Sequence, residues 1–423
     1  MLIHVVQEGD TLEKISQSYD VPLSTLINLN SPPTEALVPG QTLVIRRPAE
    51  FYTVKEGESL NQIADETGTD INLILRNNPQ IAGRQLYPGE SLVISYDDEN
   101  QRGKSLITNG YAYPYIDREL IIKALPYLTM LTIFTYGFTS EGELIAPDDE
   151  ELIELAYSYG VKPVMLLSTL TADGSFSNEL ADILLNSPYL QDILIQKIIE
   201  NMQAKGYYAL DIDFEYVPQK DKENYAAFVE NLTNQLNQRG FLTLIALAPK
   251  TSADQPGLLY EAHDYFALGR AANLALTMTY EWGYTYGPPM AVAPINKVNE
   301  VLSYAVTEIP PQKLLMGIPL YGYDWPIPFE KGVTKATSLS PQQALIIAQE
   351  NGVAIQYGEM SQAPYFRYAG DTHEVWFEDA RSIYAKLMLL KMYNLTGIGY
   401  WNLARDFPQN WAVLNSLFGI VKL

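Results

Sequence analysis

Gly206-Tyr207-Tyr208-Ala209-Leu210-Asp211-Ile212-Asp213-Phe214-Glu215-Tyr216 alternates apolar and acidic residues without a break from Leu210 to Glu215. Alternation at period two marks a strand. Successive strand side chains point to opposite faces, so Leu210, Ile212 and Phe214 share one face and Asp211, Asp213 and Glu215 the other. Three aligned carboxylates repel one another and lose solvation when covered. A purely structural strand would carry Val, Ile or Thr there; the plain alternative is an edge strand whose acidic side faces water. The physical reading is a strand of a closed parallel barrel, acidic face to the lumen, with Glu215 at the C-terminal mouth, where (β/α)8 enzymes place their catalytic groups.

The chain on either side of this stretch fits that reading. Beyond the polar, aperiodic run Asp97-Asp98-Glu99-Asn100-Gln101-Arg102-Gly103, β-rich runs alternate with helix-like segments, the pattern of a parallel sheet with helical crossovers. Strands are expected over 106–112, 128–137, 161–168, 208–215, 242–248, 274–280, 314–320 and 397–401. Eight strands make an α/β protein with a (β/α)8 TIM barrel over 104–423. The long interval before the eighth strand predicts a small α+β insertion at about 326–381. Within it, 353–357 and 365–377 read as extra strands, with Gly370-Asp371 as the turn of a hairpin.

The first 96 residues hold an internal repeat. The stretch from Ile3 to Ile15 returns 48 positions later from Phe51 to Ile63, Asn30 maps to Asn78, and Pro39-Gly40-Gln41-Thr42-Leu43-Val44-Ile45 maps to Pro88-Gly89-Glu90-Ser91-Leu92-Val93-Ile94. Each copy reads as strand, Gly turn, two helices, Pro-Gly turn and strand. The copies span 1–47 and 50–96, with Arg47-Pro48-Ala49-Glu50 as the joint. Units this short bury little surface alone. They carry 6 Lys and Arg against 12 Asp and Glu, so they are not basic patches for anionic polymers.

Composition narrows the function further. At 423 residues, 47% hydrophobic and 18% charged, the chain has room for one large domain and smaller modules. It has no cysteine, which removes disulfides and thiolate metal sites. Its three histidines, His4, His263 and His373, are too scattered for a zinc cluster. A net charge of −22 disfavours nucleic acid and anionic membranes. No apolar run reaches membrane-spanning length, and Met1-Leu2-Ile3-His4 opens without a basic or long apolar segment, so no signal peptide is expected.

Two resemblances join these observations. The repeated units resemble LysM modules, which implies binding of glycans containing N-acetylglucosamine, such as peptidoglycan and chitin. Residues 210–216, Leu-Asp-Ile-Asp-Phe-Glu-Tyr, resemble the D-x-D-x-E signature of glycoside hydrolase family 18, the chitinase-like hydrolases. Met278-Thr279-Tyr280-Glu281-Trp282 resembles the Met-x-Tyr-Asp motif of that family's sixth strand, and Trp401 in Gly397-Ile398-Gly399-Tyr400-Trp401 matches the tryptophan ending its eighth. The chain departs from the family at Tyr208-Ala209, where Asp-Gly is frequent, at Glu281, where Asp is usual, and at Ser168-Thr169-Leu170-Thr171, where Ser-x-Gly-Gly is common.

On the residues alone, Glu215 is the candidate general acid, since a glycosidic oxygen leaves only with a proton. Asp213 and Glu215 cannot both ionise freely in a low-dielectric lumen, so a coupled pair is expected. The resemblance implies more: the substrate's 2-acetamido oxygen is the nucleophile, Asp213 orients and charge-stabilises it, Asp211 supports Asp213, and Tyr280 donates a hydrogen bond to it. It also implies sugar contacts from Glu281 and a hydrophobic floor from Trp401. Met278, Tyr216, Trp282, Tyr321 and Tyr323 are candidate cleft residues, with barrel core the equal alternative for Met278. No metal or cofactor is expected.

The paired modules, the absence of cysteine and the run from Met278 to Ile295 resemble the spore cortex-lytic branch of the family. That branch implies an N-acetylglucosaminidase acting on endospore peptidoglycan, with a location in the spore coat or cortex or at the cell wall; separately, a monomer is expected. A chitinase acting on chitin oligomers, a lectin-like protein on an inactive barrel and a hard-cation site at Asp211, Asp213 and Glu215 remain as alternatives. The modules are expected to tether the barrel, so that removal of residues 1–96 leaves turnover of small soluble oligosaccharides nearly intact while activity on insoluble wall falls.

Overall fold

The computed structural model describes residues 1–171 and 173–423. In the first module the antiparallel strands Leu2–Val5 and Thr42–Ile45 bracket the helices Leu12–Tyr19 and Leu23–Asn30. The second repeats this with strands Pro48–Thr53 and Ser91–Tyr96 around helices Leu60–Thr67 and Ile71–Asn77. The entry caps are local chemistry: Thr11 accepts from the Lys14 amide, and Ser59 and Gln62 form a reciprocal capping box. The mapped asparagines do identical work. Asn30 donates to the Leu26 and Val44 carbonyls and accepts from the Val44 amide at 2.7 Å; Asn78 does the same with Ile74 and Val93. Each thus locks a helix end to the returning strand.

The eight parallel barrel strands are Ser105–Ala112, Met130–Phe138, Lys162–Ser168, Ala209–Asp213, Leu242–Leu247, Leu274–Thr277, Leu314–Pro319 and Gly397–Trp401. Each pairs with its neighbours in chain order, and the first pairs with both the second and the eighth, closing the barrel. The fourth strand is entered from the helix Pro188–Lys205, which Gly206 ends at φ +76°. On its outer face Phe214 stacks on Tyr225 and Phe228 of the helix Lys222–Asn237, at 5.8 and 6.1 Å. The apolar half of the alternation therefore glues strand to helix, leaving the acidic half to the lumen.

Between the seventh and eighth strands lies a five-stranded antiparallel sheet with the helix Pro341–Glu350. Its first strand is Gly322–Pro326, and Ala363–Tyr368 pairs with His373–Trp376. Ala369, Gly370 and Asp371 all take positive φ in the intervening turn.

The stretches that read as linkers are structured. Pro48–Thr53 is a strand beginning inside the four residues taken for a joint. Residues 97–103 hold a clasp rather than a loose boundary. Asp98 receives the buried Arg46 guanidinium at 3.1 Å and the N-terminal ammonium at 2.9 Å, while Arg46 lies 3.9 Å over the Tyr96 ring. Arg102 donates to the Asn415 carbonyl at 2.6 Å. Further buried polar contacts join the modules to the barrel. Arg76 donates to the Pro126 carbonyl and Tyr127 to the Arg76 carbonyl, both at 2.9 Å. Asn415 donates to Asn77 at 3.0 Å, and Thr42 to Gln409 at 3.0 Å. Removing residues 1–96 would exchange each of these bonds for water, a net loss of about 0.5–1.5 kcal/mol apiece. The modules are part of the folded unit, not a tether beside it.

Candidate active site

Asp211, Asp213 and Glu215 climb the lumen face of the fourth strand to its C-terminal mouth. Asp211 is fully buried, and its Oδ2 accepts from the Tyr111 hydroxyl at 2.6 Å. Burial pushes its carboxyl up to about 6. Asp213 is pushed well above the carboxylate range by burial and by the charges of Glu215 and Asp211. Oδ1 of Asp211 and Oδ1 of Asp213 are both buried and accept no hydrogen bond from the described residues. A proton on this line relieves both repulsion and desolvation. Glu215 is raised as well, by burial first and then by the charge of Glu281. Environment alone thus holds a proton at the mouth in the pH range where a free carboxyl has lost it.

Asp213 and Glu215 border a cavity of about 330 Å³, with Asp211 below them, off its wall. Its floor is Trp401, which meets Tyr111, Tyr113 and Phe134 edge to face at 5.7, 6.1 and 5.2 Å. Met278, Tyr280, Glu281 and Tyr216 also line it. Tyr280 is buried, and its hydroxyl makes no hydrogen bond among the described residues, so it remains available to a ligand. Glu281 accepts from the hydroxyls of Tyr321 and Tyr323, the latter at 3.1 Å. Tyr321 and Tyr323 stand behind Glu281 and fix its carboxylate, off the cavity wall. Trp282 faces a smaller neighbouring cavity of about 240 Å³ that shares Tyr280 and Glu281. Tyr216 and Glu281 adopt φ of 55° and 67°. Left-handed backbone at non-glycine residues is costly and clusters where a site demands it; here it turns the chain just after Glu215 and Tyr280.

Of the departures from the family pattern, Glu281 and Thr169 lie on the cavity wall and Tyr208 lies far from it. Tyr208 lies by Lys162, whose Nζ is 5.6 Å from its ring centroid, at the opposite end of the barrel. On the third strand, Ser168 accepts from Thr135 at 2.9 Å, and Thr169 and Phe176 reach the cavity wall.

Several site residues escape sequence reasoning. Tyr111, Tyr113 and Phe134 come from the first two strands, where no motif marks them. His263 reads as an isolated histidine, yet its Nδ1 accepts from the Ala248 amide at 3.0 Å and its Nε2 donates to the Phe214 carbonyl at 3.1 Å. It ties the peptide ahead of Glu215 to the end of the fifth strand. Burial lowers its pKa to about 4, so the imidazole is neutral.

With this geometry in hand, comparison with known proteins is direct. The glycosyl hydrolases family 18 pattern matches residues 100–406, and the LysM domain pattern matches residues 4–46 and 52–95. The chain is 40% identical to the cortical fragment-lytic enzyme of Bacillus subtilis (strain 168), over 100% of this chain and 99% of that protein. It is similar to the crystal structure of the spore cortex-lytic enzyme SleL of Bacillus megaterium QM B1551, with a TM-score of 0.84, 37% identity and coverage of 100% and 99%. A chitinase from Chromobacterium violaceum shares the fold at a TM-score of 0.68 and 23% identity, over 74% of this chain and 98% of that one.

Proposed function

Since the chain belongs to glycosyl hydrolases family 18, we propose that it cleaves the glycan of spore-cortex peptidoglycan at N-acetylglucosamine, with retention of configuration. Glu215 is the general acid: its raised pKa keeps a proton at the cavity mouth to pass to the leaving oxygen. No protein nucleophile is needed, because the substrate's 2-acetamido oxygen attacks the anomeric carbon and forms a cyclic oxazolinium. Asp213 stabilises the charge that forms on that ring, and Asp211 takes up or releases the shared proton as Asp213 responds. Tyr280 donates to the acetamido oxygen and aims it; Trp401 supports the distorted sugar; Met278, Glu281 and Tyr216 contact the rest. Water then opens the oxazolinium with Glu215 as base.

The observation that carries this reading is the Asp211–Asp213–Glu215 line, whose outer two carboxylates border an aromatic-floored cavity while Asp211 lies buried beneath them. Assignment to cortex over chitin rests on relatives whose names specify cortex and whose likeness runs the full length, both modules included. The enzyme works in the spore, where the modules hold peptidoglycan. It acts as a monomer. Among the described residues no helix is long and apolar enough to cross a membrane.

Mass spectrometry of products from purified cortex fragments and from chitin oligomers, with Glu215→Gln as the blank, tests the proposal. Cortex products ending in reducing N-acetylglucosamine, formed faster than chitin products, are expected. Products ending in reducing muramic sugars, or a preference for chitin, would overturn it.

A further inference from the structure

A second cavity, of about 310 Å³, lies where both modules meet the barrel, on the far side of the loop that follows Trp401. Ser31 of the first module, Gln80 of the second, Lys123 from a barrel helix, and Arg405 and Asp406 from that loop all face it. Its size sits at the low end of small-ligand sites.

Several charged groups elsewhere in the chain have close ion partners, as Arg46 has Asp98, Lys205 has Asp149 and Lys386 has Glu378, while the buried Lys250 and Arg76 are met by carbonyls. Around this cavity, Lys123, Arg405 and Asp406 form no ion pair among the described residues. Arg405 has only a 3.3 Å hydrogen bond to Ser338. Asp406 is largely buried, and burial raises its pKa while the charge of Lys123 opposes the rise. Lys123 is thus near enough to be felt but does not close the gap. The Oε1 of Gln80 is also buried and accepts no hydrogen bond. The part-buried Asp406 carboxylate and the buried, unused Gln80 acceptor, set beside the exposed Lys123 and the part-buried Arg405, leave a ligand charge and hydrogen bonds to complete.

The walls decide the kind of ligand. Trp411 and Tyr127 are the aromatics in the wall; they stack on each other at 5.0 Å, and Tyr400 meets Trp411 edge to face at 5.0 Å. Both rings are thus engaged with other aromatics, whereas the polar groups of the wall are the ones without close partners. Two cations, one carboxylate and an amide acceptor between apolar walls suit a short zwitterionic peptide.

We propose that this junction binds the peptide stems of peptidoglycan, with stem carboxylates at Lys123 and Arg405 and a stem amino or amide group at Asp406 and Gln80. The inference rests on the peptidoglycan reading given above. A stem held there touches both modules and the barrel together, so substrate binding is shared between glycan and peptide.

Titration of the full chain with free, glycan-freed stem tetrapeptide, followed by calorimetry, tests the site without catalysis. Saturable one-to-one binding is expected. Asp406→Asn and Lys123→Met should each weaken it by about tenfold or more, as loss of a charged hydrogen bond does. Lys123 is exposed, so Lys123→Met carries the test should Asp406→Asn fail to fold. On cortex fragments bearing stems, both variants should raise KM with kcat unchanged; on the same fragments stripped of stems by an amidase, they should match the wild type. Absence of tetrapeptide binding by the wild type, binding indifferent to both substitutions, or equal loss on stripped and intact fragments would overturn the assignment. Failure of the peptidoglycan reading would show separately, as wild-type inactivity on both kinds of fragment.

Discussion

Gly40 and Gly89 occupy the same Pro-Gly turn in the two modules, and together they separate the cost of the turn from the cost of docking. Both take φ of +86°, so alanine at either position forces a left-handed conformation at about 1–2 kcal/mol. At Gly89 an added Cβ meets nothing within 4 Å. At Gly40 it falls 1.9 Å from the carbonyl oxygen of Ile355 and 2.8 Å from that carbonyl carbon. Backbone cannot swing aside as a side-chain tip can, so the module must separate from the inserted sheet. Separation breaks the 2.8 Å bond from the Ile355 amide to the Pro39 carbonyl, about 0.5–1.5 kcal/mol, and the 3.2 Å bond from Arg381 to the Gly40 carbonyl, about 1.5–3 kcal/mol for a charged donor. Urea unfolding followed by circular dichroism should therefore show Gly89→Ala losing about 1–2 kcal/mol and Gly40→Ala about 2–4 kcal/mol more, as a lower midpoint or an earlier separate transition. Equal losses in the two variants would refute the docking argument.

Three further outcomes follow from the site. Glu281→Gln removes a charge that raises the Glu215 pKa, so the alkaline limb of the pH–rate profile should move to lower pH; a limb that stays or rises would deny that coupling. His263 has a folded pKa lowered from 6.5 to about 4, so its stabilisation is complete above the unfolded value and is lost as pH falls toward the folded one. Urea unfolding at pH 7 and at pH 5 should show the wild type losing roughly 2 kcal/mol more than His263→Gln over that interval, because the raised carboxyls such as Asp211, which act in the opposite sense, are common to both. Trp401→Ala should cut turnover strongly with an unchanged cooperative melt; a collapse of stability instead would make Trp401 core rather than floor.

Much of this molecule is legible in its sequence because its signals are local. The alternation from Leu210 to Glu215 states both which strand faces the lumen and which residues it presents there. The parallel strands are short apolar runs bounded by turns, so all eight appear close to their expected places. Distant pairings are what stays hidden. Residues 97–103 have a linker's composition, but Asp98 finds Arg46 and the N-terminal ammonium only in three dimensions. The hydroxyl that holds Asp211 comes from Tyr111, 100 positions earlier, and nothing around Tyr111 announces it. His263 carries no spacing signal either, because its two partners are backbone groups that any sequence could supply. Asn30 and Asn78 show the limit differently: the repeat exposes them, yet only the structure shows that they lock helix to strand and leave little side chain for a ligand.

The central claim is that the substrate supplies its own nucleophile while Glu215 supplies the proton. The most direct measurement compares hydrolysis of a matched pair of oligosaccharides, one carrying the acetamido group at the cleaved sugar and one carrying a free amine there. The account predicts turnover of the first and none of the second, because a free amine has no carbonyl oxygen with which to attack the anomeric carbon. Sustained hydrolysis of the amine substrate with the same pH profile would contradict it, and would make Asp213 or Asp211 the nucleophile.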